Sequence, residues 1–143
     1  MRIRLALEAD VPMLQHLYTE RMALLLQSDR RIASEAVEWA GRRSGAVWVG
    51  EMDGRVGGYI SVWQRPGAWL IDHMALDAHT YFPGLARGLV SEVRNLAQNS
   101  GAESLLACVP QRHPVEQAFW RALGAKLSDR EAPAGCEWMQ LQL

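Results

Sequence analysis

The chain has 143 residues, 49% of them apolar and 22% charged, and a formal net charge of −1. This is the balance of one folded domain, 1–143, long enough for a real core rather than a disordered segment. The near-neutral charge removes the electrostatic case for nucleic acid or an anionic membrane as partner, and no apolar run approaches a membrane span.

From Met1 to Leu7, apolar Ile3, Leu5 and Leu7 alternate with Arg2, Arg4 and Ala6, which predicts a half-buried strand. Asp10 is placed to cap a helix, with Pro12 in its first turn and Leu14, Leu17, Tyr18, Met22 and Leu25 along it. A second helix is expected from Ser34 to Arg43. The polar connection Gln27 to Ile32 is of the kind that borders a substrate mouth. Ala46–Met52 and Arg55–Gln64 read as strands joined by Asp53-Gly54, the strongest short hairpin signal. Glu51, ending the first of them, is expected to be a solvated charge. Arg65-Pro66-Gly67 turns the chain into a third strand, Trp69 to Asp77, so these three strands form an antiparallel meander.

A loop, Ala78 to Pro83, leads to Gly84, and from there Leu85, Leu89, Val93, Leu96 and Ala97 fall on one helical face. Gly101 suits the position just past that helix. Glu103 to Val109 is a strand apolar on both faces, hence central in its sheet. Val115 to Leu123 is a short helix ended by Gly124, and Lys126–Asp129 and Glu137–Leu143 are two last strands. The order β-α-α-β-β-β-α-β-α-β-β is that of a mixed α/β domain. Cys108 and Cys136 lack metal-ligand spacing, so no metal site is expected and both are read as buried thiols. With no signal peptide legible behind Arg2 and Arg4, a cytoplasmic location is expected.

Trp69 to Asn99 is the organising stretch: a buried strand, a small-residue loop and a helix start. Free amides of a first helical turn and the helix dipole together favour an anion, and glycine lets the backbone come close to it.

The element order and two local motifs resemble the GNAT superfamily of acyl-CoA N-acyltransferases. The signature Q/R-x-x-G-x-G/A lies over Tyr81-Phe82-Pro83-Gly84-Leu85-Ala86. The later Asn-plus-aromatic helix ending in Leu-Gly lies over His113 to Ala125. The resemblance implies an α/β fold with a central, mostly antiparallel sheet, a splayed strand pair and helices on both faces. It implies acetyl-CoA as cosubstrate and the primary amine of a small molecule as acceptor. A homodimer is the fold-level expectation. The main chain of Met74, Ala75 and Leu76 would pair with the pantetheine arm. The loop and helix start, Tyr81, Phe82, Pro83, Gly84, Leu85, Ala86, Arg87 and Gly88, would hold the pyrophosphate, with amides from Gly84 to Gly88 facing it. His113 and Trp120 would lie along the same ligand.

The signature is degenerate. Tyr81 replaces its charged opening residue, Pro83 removes a donor, His113 takes the Asn position, and Trp120 takes that of the thiolate-protonating Tyr. Two readings follow: an N-acetyltransferase, or a GNAT-fold CoA-binding or interaction module with weak or absent catalysis. Asp72 is the candidate base, and His73 the second catalytic candidate. As neighbours on one strand they are expected on opposite faces. The structural alternatives are a hydrogen-bonded Asp and a His packed under a helix. Tyr18 and Tyr59 are read as core aromatics.

Overall fold

A computed structural model of the chain describes residues 1–24, 46–77, 84–132 and 135–143. The strands are β1 (Arg2–Leu5), β2 (Ala46–Met52), β3 (Arg55–Gln64), β4 (Ala68–Leu76), β5 (Ser104–Pro110), β6 (Lys126–Leu127) and β7 (Cys136–Gln142). The helices are α1 (Val11–Leu24), α2 (Leu85–Asn99) and α3 (Pro114–Ala122). The expected helix Ser34 to Arg43, the connection Gln27 to Ile32, and Tyr81, Phe82 and Pro83 lie outside the described residues.

Among the described residues one sheet runs in the order β1-β2-β3-β4-β5-β7-β6. All neighbours are antiparallel except β4 and β5, which are parallel. The expected meander is present, and its first turn has a clear cause. Asp53 (φ 52°) and Gly54 (φ 77°) both occupy the left-handed region, the type I′ geometry that matches the twist of paired strands. The parallel step to β5 is made through α2. That helix ends as expected: Ala102 N–H donates to Ala97 C=O and Gly101 N–H to Gln98 C=O, each at 3.0 Å, a Schellman closure. Pro110, expected in a loop, instead closes β5 opposite Cys136, and β6 is shorter than the four residues expected.

Successive strand residues go to opposite faces, which divides the core in two. Trp48, Ile60, Met74, Leu105 and Met139 join Leu89 and Val93 of α2 and Trp120 of α3 in one cluster. Val49, Tyr59 and Ala75 join Leu14, Leu17 and Tyr18 of α1 in the other. Helices therefore cover both faces, here called the α2 face and the α1 face.

Two features seat the elements around the end of β4. Gly50 and Gly58 are paired across β2 and β3, and they leave a shallow depression in the sheet. Leu85, the first residue of α2, fills it: a Cβ on Gly50 would overlap Leu85 Cδ1, and one on Gly58 would lie 3.2 Å from Leu85 Cδ2 and 2.7 Å from Leu76 Cδ2. The first turn of α2 thus sits beside the last residue of β4. On the other side, Arg4 forks onto Asp10 (Nη1–Oδ2 2.7 Å, Nη2–Oδ1 3.0 Å) and also donates to Glu51 at 3.1 Å. Glu51 is therefore not the solvated charge expected. Asp10 ends a single 3-10 turn, Glu8–Asp10, and its carboxylate reaches back to Leu7 N–H at 2.7 Å, fixing the entry to α1 by a route other than the expected cap.

Gly50→Ala should displace Leu85 and destabilise the fold by about 1–3 kcal/mol. In a Leu85→Ala background the same change should cost less, by a coupling of at least about 0.5 kcal/mol in paired denaturant titrations. A second expectation concerns acid. The Arg4 hydrogen bonds hold the Asp10 carboxyl below its ordinary range. A depressed folded-state pKa gives stability that is fully present above the unfolded value, about 4, and is lost as pH falls through the folded value. The stability gap between the parent and Asp10→Asn should be constant above about pH 5 and close below about pH 4.

Candidate active site

The parallel pairing of β4 with β5 runs from Ala68↔Ser104 to Ile71↔Ala107 and stops there. Both strands continue. β4 remains paired with β3 as far as Gly58↔Leu76, and β5 with β7 as far as Pro110↔Cys136. Beyond Ile71 and Ala107 the two strands part, leaving the inner edge of each without its neighbour among the described residues. A backbone edge with no strand beside it is a template for another extended chain.

The cause of the parting lies in β4. Opposite β3 the register runs Val62↔Ile71 and then Ser61↔His73, so Asp72 is an extra residue, a β-bulge. A bulge bends its strand and re-aims side chains. The core contacts record the change of phase: Trp69 and Ile71 lie on the α2 face, and so does Met74, three residues on. The alternation expected to send Asp72 and His73 to opposite faces is broken at this residue.

Asp72 is half-buried at the vertex of the opening, and His73 is 2% exposed. His73 Nδ1 is hydrogen-bonded to Tyr59 Oη at 2.8 Å, and its ring stacks on Tyr18 with centroids 5.1 Å apart. His73 is thus packed beneath α1, held from the sheet by one tyrosine and from the helix by another. Ser61, opposite His73 in register, is buried, and among the described residues its Oγ has no hydrogen-bond partner. Across the opening, a hydrogen bond with Cys136 and burial push the Cys108 thiol well above its usual range, and the charges of Asp72 and Glu116 add to this. Such a thiol is not a nucleophile near neutral pH, which agrees with the inert role expected.

Met74, Ala75 and Leu76 form the stretch of β4 beyond the vertex. Gly84, just before α2, takes a left-handed φ of 73°, and a Cβ there would meet nothing within 4 Å. Among the described residues, then, nothing crowds the backbone at the start of α2 on that side. The first-turn amides of Leu85, Ala86 and Arg87 follow it, and Arg87 is exposed. Gly88 does not belong with them, contrary to expectation. Its N–H donates to Gly84 C=O at 2.8 Å, and its Cα packs under Ile3 and Met1 of the β1 side, 3.0 Å from where a Cβ would stand. Its small size serves the approach of α2 to β1.

His113 caps α3, its Nδ1 accepting Glu116 N–H at 3.1 Å. Glu116 is a buried carboxylate that sequence reasoning missed, although His-x-x-Glu before an aromatic helix has the spacing of a capping box. Trp120 is 1% exposed within the α2-face core, its ring set edge-on to Phe119 at 5.3 Å, and its Nε1 has no hydrogen-bond partner among the described residues. No cluster of three or more metal-ligating side chains occurs among the described residues. Nor is any helix among them long and apolar enough to cross a membrane.

No protein-family model matches the chain. A Danio rerio protein described as "Probable N-acetyltransferase 14" is 30% identical over 91 residues, 62% of this chain, and the chain spans only about a third, 32%, of that protein's length. Solved structures match throughout. The GNAT-family acetyltransferase of Staphylococcus aureus aligns with a TM-score of 0.83 at 11% identity over 99% of this chain and 98% of its own. The PaiA N-acetyltransferase of Thermoplasma acidophilum, solved in complex with coenzyme A, aligns at 0.80 and 15% over the full length of both. The ribosomal-protein-alanine N-acetyltransferase of Brucella melitensis aligns at 0.74 and 22%, again over both full lengths. The chain therefore has the fold of these GNAT acetyltransferase structures.

Proposed function

We propose that the protein is an N-acetyltransferase that moves an acetyl group from acetyl-CoA to a primary amine of a small acceptor. The observation that carries this reading is the parting of β4 and β5 at Asp72 and Cys108, opening beside a helix start whose backbone is exposed at Gly84. A pantetheine arm carries amide donors and acceptors in an extended chain, the chemistry that suits the edge of a strand whose neighbour has diverged, and a pyrophosphate is the anion a helix start favours. The coenzyme A complex of the Thermoplasma relative supports the same ligand.

In this reading the pyrophosphate rests on the amides of Leu85, Ala86 and Arg87, and the arm follows Met74 to Leu76. The thioester then lies at the vertex, beside Asp72. The neutral amine attacks the thioester carbonyl: a carbon–nitrogen bond forms, the carbon–sulfur bond breaks, and the sulfur leaves with its electron pair. The amine proton passes to the Asp72 carboxylate, directly or through one water. A half-buried carboxylate at the vertex is the group placed to take that proton. His73, closed in between Tyr18 and Tyr59, supports the acceptor side of the vertex.

The phosphate site is tested by calorimetry of CoA binding to Gly84→Asp and Gly84→Asn. Both place a side chain at the same left-handed position and share its strain. Only Asp adds a charge facing the phosphates, so it should bind CoA more weakly than Asn by about tenfold or more at low salt, a gap that narrows as salt rises. Equal affinities would remove the pyrophosphate from this turn. The reaction is tested with acetyl-CoA and a panel of primary amines. With any amine that is turned over, Asp72→Asn should reduce the rate by at least about a hundredfold at neutral pH, and higher pH should restore part of it as free amine accumulates. Parental rates across the pH range would make Asp72 structural, and a panel without turnover despite CoA binding would favour a binding module.

A further inference from the structure

Trp48, Trp69 and Trp120 are buried in the core, but Trp138 of β7 is only half-buried, and it stands beside the opening. Its side of the sheet follows from its neighbours. Met139 lies in the α2-face cluster, so Trp138 points to the α1 face. Cys108, directly opposite Trp138 in register, sits between Ala107 and Val109 of the α2-face cluster and so shares the α1 face. Cys108 is also the first residue of β5 after its pairing with β4 ends. On the other bank of the opening the bulge sets Asp72 beside His73, and the Asp72 charge reaches the Cys108 thiol across the gap. Asp72, Cys108 and Trp138 therefore follow one another across the α1 face. Directly opposed residues hold their Cβ atoms about 5 Å apart, so the indole begins one side chain beyond Cys108. Leu70 and Leu106, paired on the same face, make the neighbouring surface apolar. Trp138 Nε1–H donates to Glu131 C=O at 3.2 Å, which fixes the ring. A ring already held binds without the cost of ordering it.

We propose that Trp138 selects the acceptor: the amine that is acetylated is carried on an aromatic body, which packs against the indole while its nitrogen meets Asp72. The inference rests on the acetyl-transfer reading of the site and adds the class of acceptor to it. The bonds made and broken are those of that transfer, and Trp138 takes no part in moving the proton. Two aromatic rings gain from offset-stacked or edge-to-face contact that a saturated ring of the same bulk does not make. An indole face also attracts cations, so an aliphatic diamine is the rival occupant. Its second ammonium would leave water for the apolar surface of Leu70 and Leu106, and a charge buried without a partner is costly. An aromatic ring meets the same surface without that cost. One nitrogen for one carboxylate and a flat apolar body for the indole are what this face accommodates.

The test measures kcat/KM with acetyl-CoA for phenethylamine, its saturated counterpart 2-cyclohexylethylamine, and 1,4-diaminobutane, in the parent, Trp138→Phe, Trp138→Leu and Trp138→Ala. The ratio of the first amine to the second is read, and comparing that ratio between proteins cancels the basicity of the amines themselves. Trp138→Leu and Trp138→Ala should lower it by about two- to tenfold, chiefly through KM, and Trp138→Phe should keep most of it. Loss of the hydrogen bond to Glu131 alone would slow every amine alike and leave the ratio unmoved. Nitrogen-15 spectra of the CoA complex of the parent give a readout that needs no variant. The Trp138 indole signal, one of six, should move on adding phenethylamine and much less on adding 1,4-diaminobutane. An unchanged ratio in both Trp138→Leu and Trp138→Ala, or a parental preference for the diamine that Trp138→Ala abolishes, would overturn the proposal while leaving acetyl transfer intact. Turnover of none of these amines or of a wider panel, with CoA still bound, would overturn the acetyl-transfer reading and this inference with it.

Discussion

Asp72 is one residue more than β3 can match between the pairs Val62↔Ile71 and Ser61↔His73, and this surplus bends β4 where it leaves β5. Pairs on either side of it hold β4 to β3 from Trp69 to Leu76, so the strand cannot shed the bulge by slipping. A one-residue slip would turn every core side chain of β4 to the wrong face. The strand instead bends, and its pairing with β5 ends one residue earlier, at Ile71. β5 cannot follow, because it is held along its other edge by β7 from Ser104 to Pro110 and is buried throughout. Two strands each fixed on their outer sides must then separate on their inner sides. The opening is a property of the registers rather than of any residue that lines it.

A cleft between strands is useful only if something defines its far end, and here glycine packing does so. Gly50 and Gly58, side by side on neighbouring strands, let Leu85 descend onto the sheet, and Gly88 lets the next turn of α2 close on β1. Burying a leucine side chain contributes about 1.5–3 kcal/mol, and spending it at the first residue of the helix anchors the end that has free amides. The helix start is therefore held close to Leu76, the last residue of β4. Backbone donors and an open strand edge thereby become one continuous surface. Each group is ordinary by itself, and the rigid sheet places them together.

The polar residues near the vertex divide between the two sides of the sheet. Tyr59, His73 and Tyr18 form a hydrogen-bonded and stacked group under α1, while Trp120 and the apolar residues of β5 lie under α2 and α3. Two thiols, Cys108 and Cys136, stand close enough to share a hydrogen bond, which with burial keeps Cys108 protonated.

Much of this architecture was legible in the sequence, because it depends on local chemistry. The Asp53-Gly54 turn, the boundaries of β2 and β3, the amphipathic face of α2 and its Gly101 terminus each follow from rules acting over a few residues. Hydrophobic alternation and helical spacing do not require knowledge of the partner. The order of those elements then narrows the fold, which the whole-length likeness to solved GNAT structures bears out. What the sequence could not reveal lies in relations between distant segments. The bulge at Asp72 appears only when β4 is set against β3, so alternation along β4 alone misassigned the faces of Asp72 and His73. The role of Gly88 depends on Ile3 and Met1, far away in the chain, and the charge of Glu51 is engaged by Arg4 from another strand. The unmet N–H of Trp120 is likewise a fact of packing. An indole has the same composition in a wet loop and in a dry core, and only the tertiary structure decides whether its donor is met.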